Sequence, residues 1–196
     1  MSLPSRRGKL LDRKVQERDA TIFVVATEDH TRTPAYLDAL HRNGAIQRTR
    51  VKIVLVPSTD DRSSPGAVLD RLLSWNEYEL RDFDQLWLVL DVDRWKDLET
   101  TVRDARRRGV RTAVSNPCVE VWSILHFERV TDATRECGPL KRRLHELTRG
   151  SEDAWTPEAV QAALERARRQ DDVDSFVPGQ GQTQMHLLVE QLATRS

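Results

Sequence analysis

The chain has 196 residues, 38% of them apolar, and its 31 Lys and Arg residues balance 31 Asp and Glu. That length supports one substantial core with a small appendage, and the even charge lacks the basic excess that marks many nucleic-acid binders, without excluding one. Cys118 and Cys137 are the only cysteines and form no CxxC, which leaves no framework of disulfides and no structural zinc site. No run approaches the roughly 18 apolar residues of a membrane span. The basic start, with Arg6, Arg7, Lys9, Arg13 and Lys14, lacks the apolar stretch of a signal peptide. A reducing cytoplasm is therefore the expected home.

Residues 1–18 read as a basic arm. The β-branched run Thr21–Ala26 then predicts a buried strand, closed by the polar cluster Thr27-Glu28-Asp29-His30. Pro34, Tyr36, Leu37 and Leu40 give a short helical stripe that stops at Asn43-Gly44. Residues 51–56 predict a second strand, and Val68, Leu69, Leu72 and Leu73 a second helix after a turn-rich stretch. Gln85–Leu90 predicts the third strand, Leu98, Val102 and Ala105 the inner face of the third helix, and Val110–Val114 a fourth strand after Gly109. Strands alternating with helices in this way predict an α/β fold, a mostly parallel doubly wound sheet of about four strands flanked by helices over residues 19–130.

A fourth helix is predicted from Ser115-Asn116-Pro117, with Asn116 as its N-cap and Pro117 in its first turn. Beyond residue 131 the strand signal vanishes. Helical segments near 139–148, 157–169 and 184–193 make a helical C-terminal extension over 131–196, and the stretch 171–182 reads as an exposed loop.

Glu28 and the pair Asp91/Asp93 fall at the exits of two predicted strands. In a parallel sheet such exits share one edge, where ligands gather, and carboxylates there suit a hard cation such as Mg²⁺. The same residues also read as solvated turns, since short acidic motifs are common. Asn116 and Glu120, four apart, would share a helix face at that edge, although capping by Asn116 and packing of Trp122, Ile124, Leu125 and Phe127 explain the segment equally. Cys118 reads as a small buried residue and His126 as a packing residue. Basic clusters at Arg103, Arg106, Arg107, Arg108 and Arg111, and at Lys141, Arg142, Arg143 and Arg149, are candidate nucleic-acid contacts or simply solvated helix faces. No GxxxxGK[ST] phosphate loop is present, so any ATP dependence would come from a partner.

These segments resemble the RloB-like family of prokaryotic defence proteins, which carry a TOPRIM-type fold, over nearly the whole chain. The resemblance rests on Glu28 after the first strand, Pro34-Ala35-Tyr36, and the strand with its DxD, Leu86 through Asp93. Its most specific part is Ser115-Asn116-Pro117-Cys118-Val119-Glu120-Val121-Trp122-Ser123-Ile124-Leu125-His126-Phe127, similar to the family's SNPxFExWxxxHF block. A weaker match runs from Thr183 to Glu190. The chain departs from the pattern at Asp29, where the family has Gly, at Arg32 and Thr33, where it has a Thr-Glu pair, at Val119, where it has an aromatic residue, and around Gly150 to Trp155. The resemblance implies a Mg²⁺- or Mn²⁺-dependent nuclease effector acting against phage on RNA or DNA, often beside an ATPase partner, with a homodimer as one form of assembly. It implies metal binding by Glu28, Asp91 and Asp93, and phosphate-site roles for Asn116 and Glu120. The alternative is a non-catalytic subunit that keeps the scaffold and binds an ATPase or a phage trigger.

Overall fold

The computed structural model describes residues 20–57, 63–92, 95–130, 136–169 and 175–195. The predicted basic arm, residues 1–18, lies outside the described residues. Four strands, β1 (Thr21–Thr27), β2 (Val51–Leu55), β3 (Gln85–Asp91) and β4 (Arg111–Ser115), form one parallel sheet in the order β2-β1-β3-β4. Seven α-helices accompany them among the described residues: α1 (Arg32–Arg42), α2 (Pro65–Ser74), α3 (Leu98–Arg107), α4 (Glu120–Leu125), α5 (Cys137–Thr148), α6 (Pro157–Arg168) and α7 (Met185–Arg195). The α/β class and parallel sheet expected from the alternating pattern are what the chain adopts.

Alternate residues of each strand feed opposite faces, so two-sided burial explains the continuous apolar runs. Phe23, Val25, Trp87, Val89 and Ala113 pack under α1, α4, α6 and α7, whereas Ile22, Val24, Ala26, Leu88, Leu90 and Val114 pack under α2 and α3. The division of helices follows from handedness. A parallel crossover is right-handed, and the step from β1 to β2 runs opposite to the steps from β2 to β3 and β3 to β4. Hence α1 covers one face, while α2 and α3 cover the other.

Local signals fix several ends. Ser64 and Thr156 accept the backbone N–H of Ala67 and Ala159, and Pro65 and Pro157 open α2 and α6. Gly44 takes a φ of 78° just after α1, a conformation that the predicted Asn-Gly stop supplies without Cβ strain.

Two expectations need correction. The fourth helix begins at Glu120, with Val119 in the capping position, not at Ser115-Asn116-Pro117. Asn116 is no N-cap: its carboxamide donates to the Pro178 carbonyl at 2.9 Å, its N–H to the Gln182 carbonyl, and its carbonyl accepts the Gly181 N–H. It lies outside the helix, so it shares no helix face with Glu120. The stretch predicted as an exposed loop up to Gln182 is, in its described part, closed onto β4. Gln184 exchanges hydrogen bonds with Val114, and Ser115 bridges Thr183 antiparallel. Edge-strand amides need partners when buried, and this segment supplies them.

His126 is a buried packing residue, as expected. A carbonyl only accepts, so Nδ1–H donates to the Trp122 carbonyl at 3.0 Å, leaving Nε2 to accept the Tyr36 hydroxyl at 3.2 Å. Trp155 stacks edge-on 4.9 Å away. Burial, with a smaller push from Arg166, drives the His126 pKa down to about 4, against the opposing hydrogen bonds. The unfolded imidazole titrates near 6.5, so the unfolded state takes up a proton first as pH falls. Stability from this group is complete above about pH 6.5 and drains away towards pH 4, by on the order of 3 kcal/mol. The stability of the wild type relative to His126→Gln, which cannot titrate there, should fall by this amount when denaturant midpoints are taken from pH 7 to 4.

Candidate active site

The strand order reverses direction at β1, so the crevice beyond the ends of β1 and β3 is the topological switch point of the sheet, where open α/β sheets place ligands. Glu28 follows β1 and Asp91 ends β3. Register brings them together: Thr27 pairs with Val89, and the Asp91 N–H donates to Glu28 Oε1 at 3.0 Å. Asp93 lies outside the described residues.

Asp91 is a strongly perturbed carboxyl group. Burial first, then the negative charges of Glu28 and Asp29, raise its pKa to about 8, against the Val119 backbone N–H that donates to it and the positive charge of Lys141 on α5. Two acidic groups pressed together in a low-dielectric crevice disfavour double ionisation, and a divalent cation is the counter-charge that would permit it. Among the described residues, no group of three or more His, Cys, Asp or Glu side chains is arranged to hold a metal. Glu28 and Asp91 by themselves fit Mg²⁺, which takes one or two carboxylates and keeps several waters.

Asp29 is committed elsewhere. Its Oδ1 accepts the N–H groups of Thr31 and Arg32 at 3.0 and 3.1 Å, and its Oδ2 that of Thr33 at 2.5 Å. Burial pushes the Asp29 carboxyl up, but these amides together outweigh it and hold the pKa below the ordinary value. The residue that stands where the family pattern has Gly thus satisfies the open N–H groups at the start of α1. Arg32, at that helix start, forms an ion pair with Glu120, which is 1% exposed at the start of α4. Glu120 is therefore turned to a cation on α1, and Asn116 to the segment around Pro178.

The basic clusters separate. Helix α3 runs from the strand-exit edge for about 15 Å to the opposite edge, where Arg107 and Arg108 pair with Asp104 and Arg111 begins β4. Arg103 pairs with Glu99 within α3, and Arg106 bonds Thr112 and the Ser175 carbonyl. None of these is brought to the carboxyl pair by the fold. On α5, Arg143 is held by Glu128 and Glu146, while Lys141 reaches Asp91 electrostatically. Sequence reading missed the Val119 amide, the Arg32–Glu120 pair and the capping role of Asp29, all of which depend on where the backbone goes.

A cleft of about 330 Å³ lined by Thr27, Asp29, His30, Pro34, Leu55 and Val56 flanks the carboxyl pair. A second, of about 420 Å³, lies at the far edge among Trp87, Arg106, Arg111 and Glu190, away from these groups.

A family model for RloB-like proteins matches residues 23–192, from within β1 to the middle of α7. The chain belongs to the RloB-like family. No curated protein and no solved structure matches it. The RloB-like span contains the carboxyl pair, the capped α1 and the segment that closes β4, so the site and its supports belong to the matched region.

Two outcomes follow from the electrostatics. Asp91 keeps its proton in the folded state up to about pH 8, whereas an unfolded carboxyl loses it near 3.8. Its stabilising contribution is complete below the lower value and is lost as pH rises through the higher. Measured across this window, the stability of the wild type relative to Asp91→Asn should fall as pH rises. Asp29→Ala should cost about 1 kcal/mol of stability and leave Mn²⁺ affinity in a calorimetric titration unchanged; lost Mn²⁺ binding would make Asp29 a ligand.

Proposed function

We propose that the chain is a Mg²⁺- or Mn²⁺-dependent nuclease effector of an antiphage defence system, hydrolysing phosphodiesters of RNA or DNA in the cytoplasm beside an ATPase partner. The observation that carries this reading is the carboxyl pair Glu28/Asp91 at the switch point, with one member held protonated near neutrality by burial and its neighbour. Such a pair stores a demand for positive charge, and a hard cation together with a phosphate ester meets it.

When bound, the cation supplies Lewis acidity and a more acidic water. Glu28 and Asp91 would hold it, with Asp93, two positions after Asp91 in the sequence, as the third expected ligand. The Val119 N–H keeps the Asp91 carboxyl oriented. Lys141 sets a positive charge beside the pair, where it would offset the charge that gathers on a phosphoryl group. Asn116 and Glu120 act on this reading as positioning residues: the first ties the 175–184 segment to the end of β4, and the second fixes Arg32 at the head of α1. Lys141, Arg142 and Arg143 would lead the polynucleotide in, and the α3 arginines would touch it only along a path reaching the far edge.

A second reading, a non-catalytic subunit that binds the ATPase or a phage trigger, draws on Asp29 being spent as a cap and on the absence of a three-ligand group among the described residues. Metal titration separates the two, because only the first requires specific Mn²⁺ binding that Glu28→Gln removes.

The purified chain, with its ATPase where required, should cut RNA or DNA only with Mg²⁺ or Mn²⁺. Glu28→Gln and Asp91→Asn should each lower the rate by about 100-fold or more, and Lys141→Ala by about tenfold. Cleavage should weaken steeply with added salt if Lys141 and its neighbours grip the backbone. Unchanged turnover in both carboxyl variants would remove the assignment.

A further inference from the structure

Neither cysteine enters the chemistry above, yet the fold brings the two together. Cys118, 3% exposed, sits in a small apolar cluster with Val121, Ile124 and Leu140, and Cys137 packs on that cluster from the first position of α5. Both are free thiols on one cluster, and Cys137 keeps part of its surface in solvent. A buried cysteine alone would be a small apolar residue; a second, accessible thiol against it is a reactive pair.

We propose that Cys118 and Cys137 form a reversible thiol–disulfide modification site, oxidised by small disulfides of the glutathione type, which clamps the start of α5 to the segment that carries the Asp91-binding amide. Cys137 enters first because it is the accessible thiol. As thiolate it attacks one sulfur of the small disulfide, whose S–S bond breaks, and one thiolate departs. Cys118, giving its proton to the departed thiolate, then attacks the Cys137 sulfur of the mixed disulfide; the Cys118–Cys137 bond forms, the bond to the small thiol breaks, and that group leaves as a thiolate that takes up the proton Cys137 had released. Two protein thiols are oxidised and one external disulfide is reduced to two thiols. Burial and the neighbouring Cys137 hold Cys118 in its protonated form, which makes the second exchange the slow one.

The link to the carboxyl pair is short. Cys118 and Val119 share a peptide unit, and the N–H of that unit donates to Asp91. Lys141 stands one turn after Cys137 on the same face of α5 and bears electrostatically on both Cys118 and Asp91. An S–S bond of about 2.05 Å is much shorter than a thiol–thiol contact, so closing it moves the amide and the lysine relative to the carboxyl group. This coupling rests on the metal-centre reading; the disulfide itself does not.

The full chain equilibrated with mixtures of oxidised and reduced glutathione should lose both thiols together and yield one cross-linked peptide pair containing residues 118 and 137. The oligomeric state should not change through the oxidation, and the oxidation should revert with reductant. In Cys137→Ser, which alters only the partly exposed member, Cys118 should remain unreacted under the same mixtures. The Val119 amide resonance should move on oxidation, and Mn²⁺ affinity should fall several-fold. Glutathione retained on Cys137 with Cys118 still free, or cross-links only between chains, would overturn the site, and an unmoved Val119 amide in the cross-linked protein would overturn the coupling. Mn²⁺ binding to neither redox form counts against the metal reading, and the cross-linked peptide reports separately from it.

Discussion

Because β1 is bonded to β2 on one side and β3 on the other, the chain must leave β1 in one direction and β3 in the other, and right-handed crossovers then put α1 and α3 on opposite faces. The crevice between those departures is left open by topology, not by any one side chain. Register does the rest. Thr27 opposite Val89 sets Glu28 against the backbone of Asp91, and a shift of one residue would turn the carboxyl groups away together with the whole apolar pattern of β3.

The surroundings divide the work of neutralising this crowded edge. Asp29 is absorbed by the first amides of α1, Glu120 by Arg32, and Asp91 by one amide and by its own proton. Asp91 keeps a strongly raised pKa whereas Asp29 does not, so of these two it is the group that a cation would relieve. The pH responses of the two perturbed groups run in opposite senses. Falling pH costs stability through His126 and rising pH through Asp91, so the two oppose each other between about pH 4 and 6.5, and above that the Asp91 loss stands alone.

The strands were legible because burial on both faces demands unbroken runs such as Thr21-Ile22-Phe23-Val24-Val25-Ala26, and helix starts were legible at Thr156-Pro157 because capping is local. Glu28 and Asp91 followed from the strand ends. Asn116-Pro117 misled, since the same dipeptide that caps a helix here serves partners around Pro178 and Gln182, more than sixty residues away. The arginine-rich end of α3 shows the same limit: charge clustering is visible in sequence, but the direction of the helix decides which edge receives it. Lys141 beside Asp91, and Cys137 beside Cys118, depend on how α5 docks on α4, which no spacing encodes.

The segment that closes β4 also sets a timetable for folding. Among the described residues, Val114 and Ser115 find their outer partners in Thr183 and Gln184, and part of one face of the sheet is covered by side chains from Val160 to Leu192. A chain emerging from the ribosome would have all four strands in hand while that edge was still bare and that face only partly covered. Until residues 183–192 arrive, the nascent protein is a sheet that other strands can join, which makes the interval between the synthesis of β4 and of this segment an aggregation-prone one.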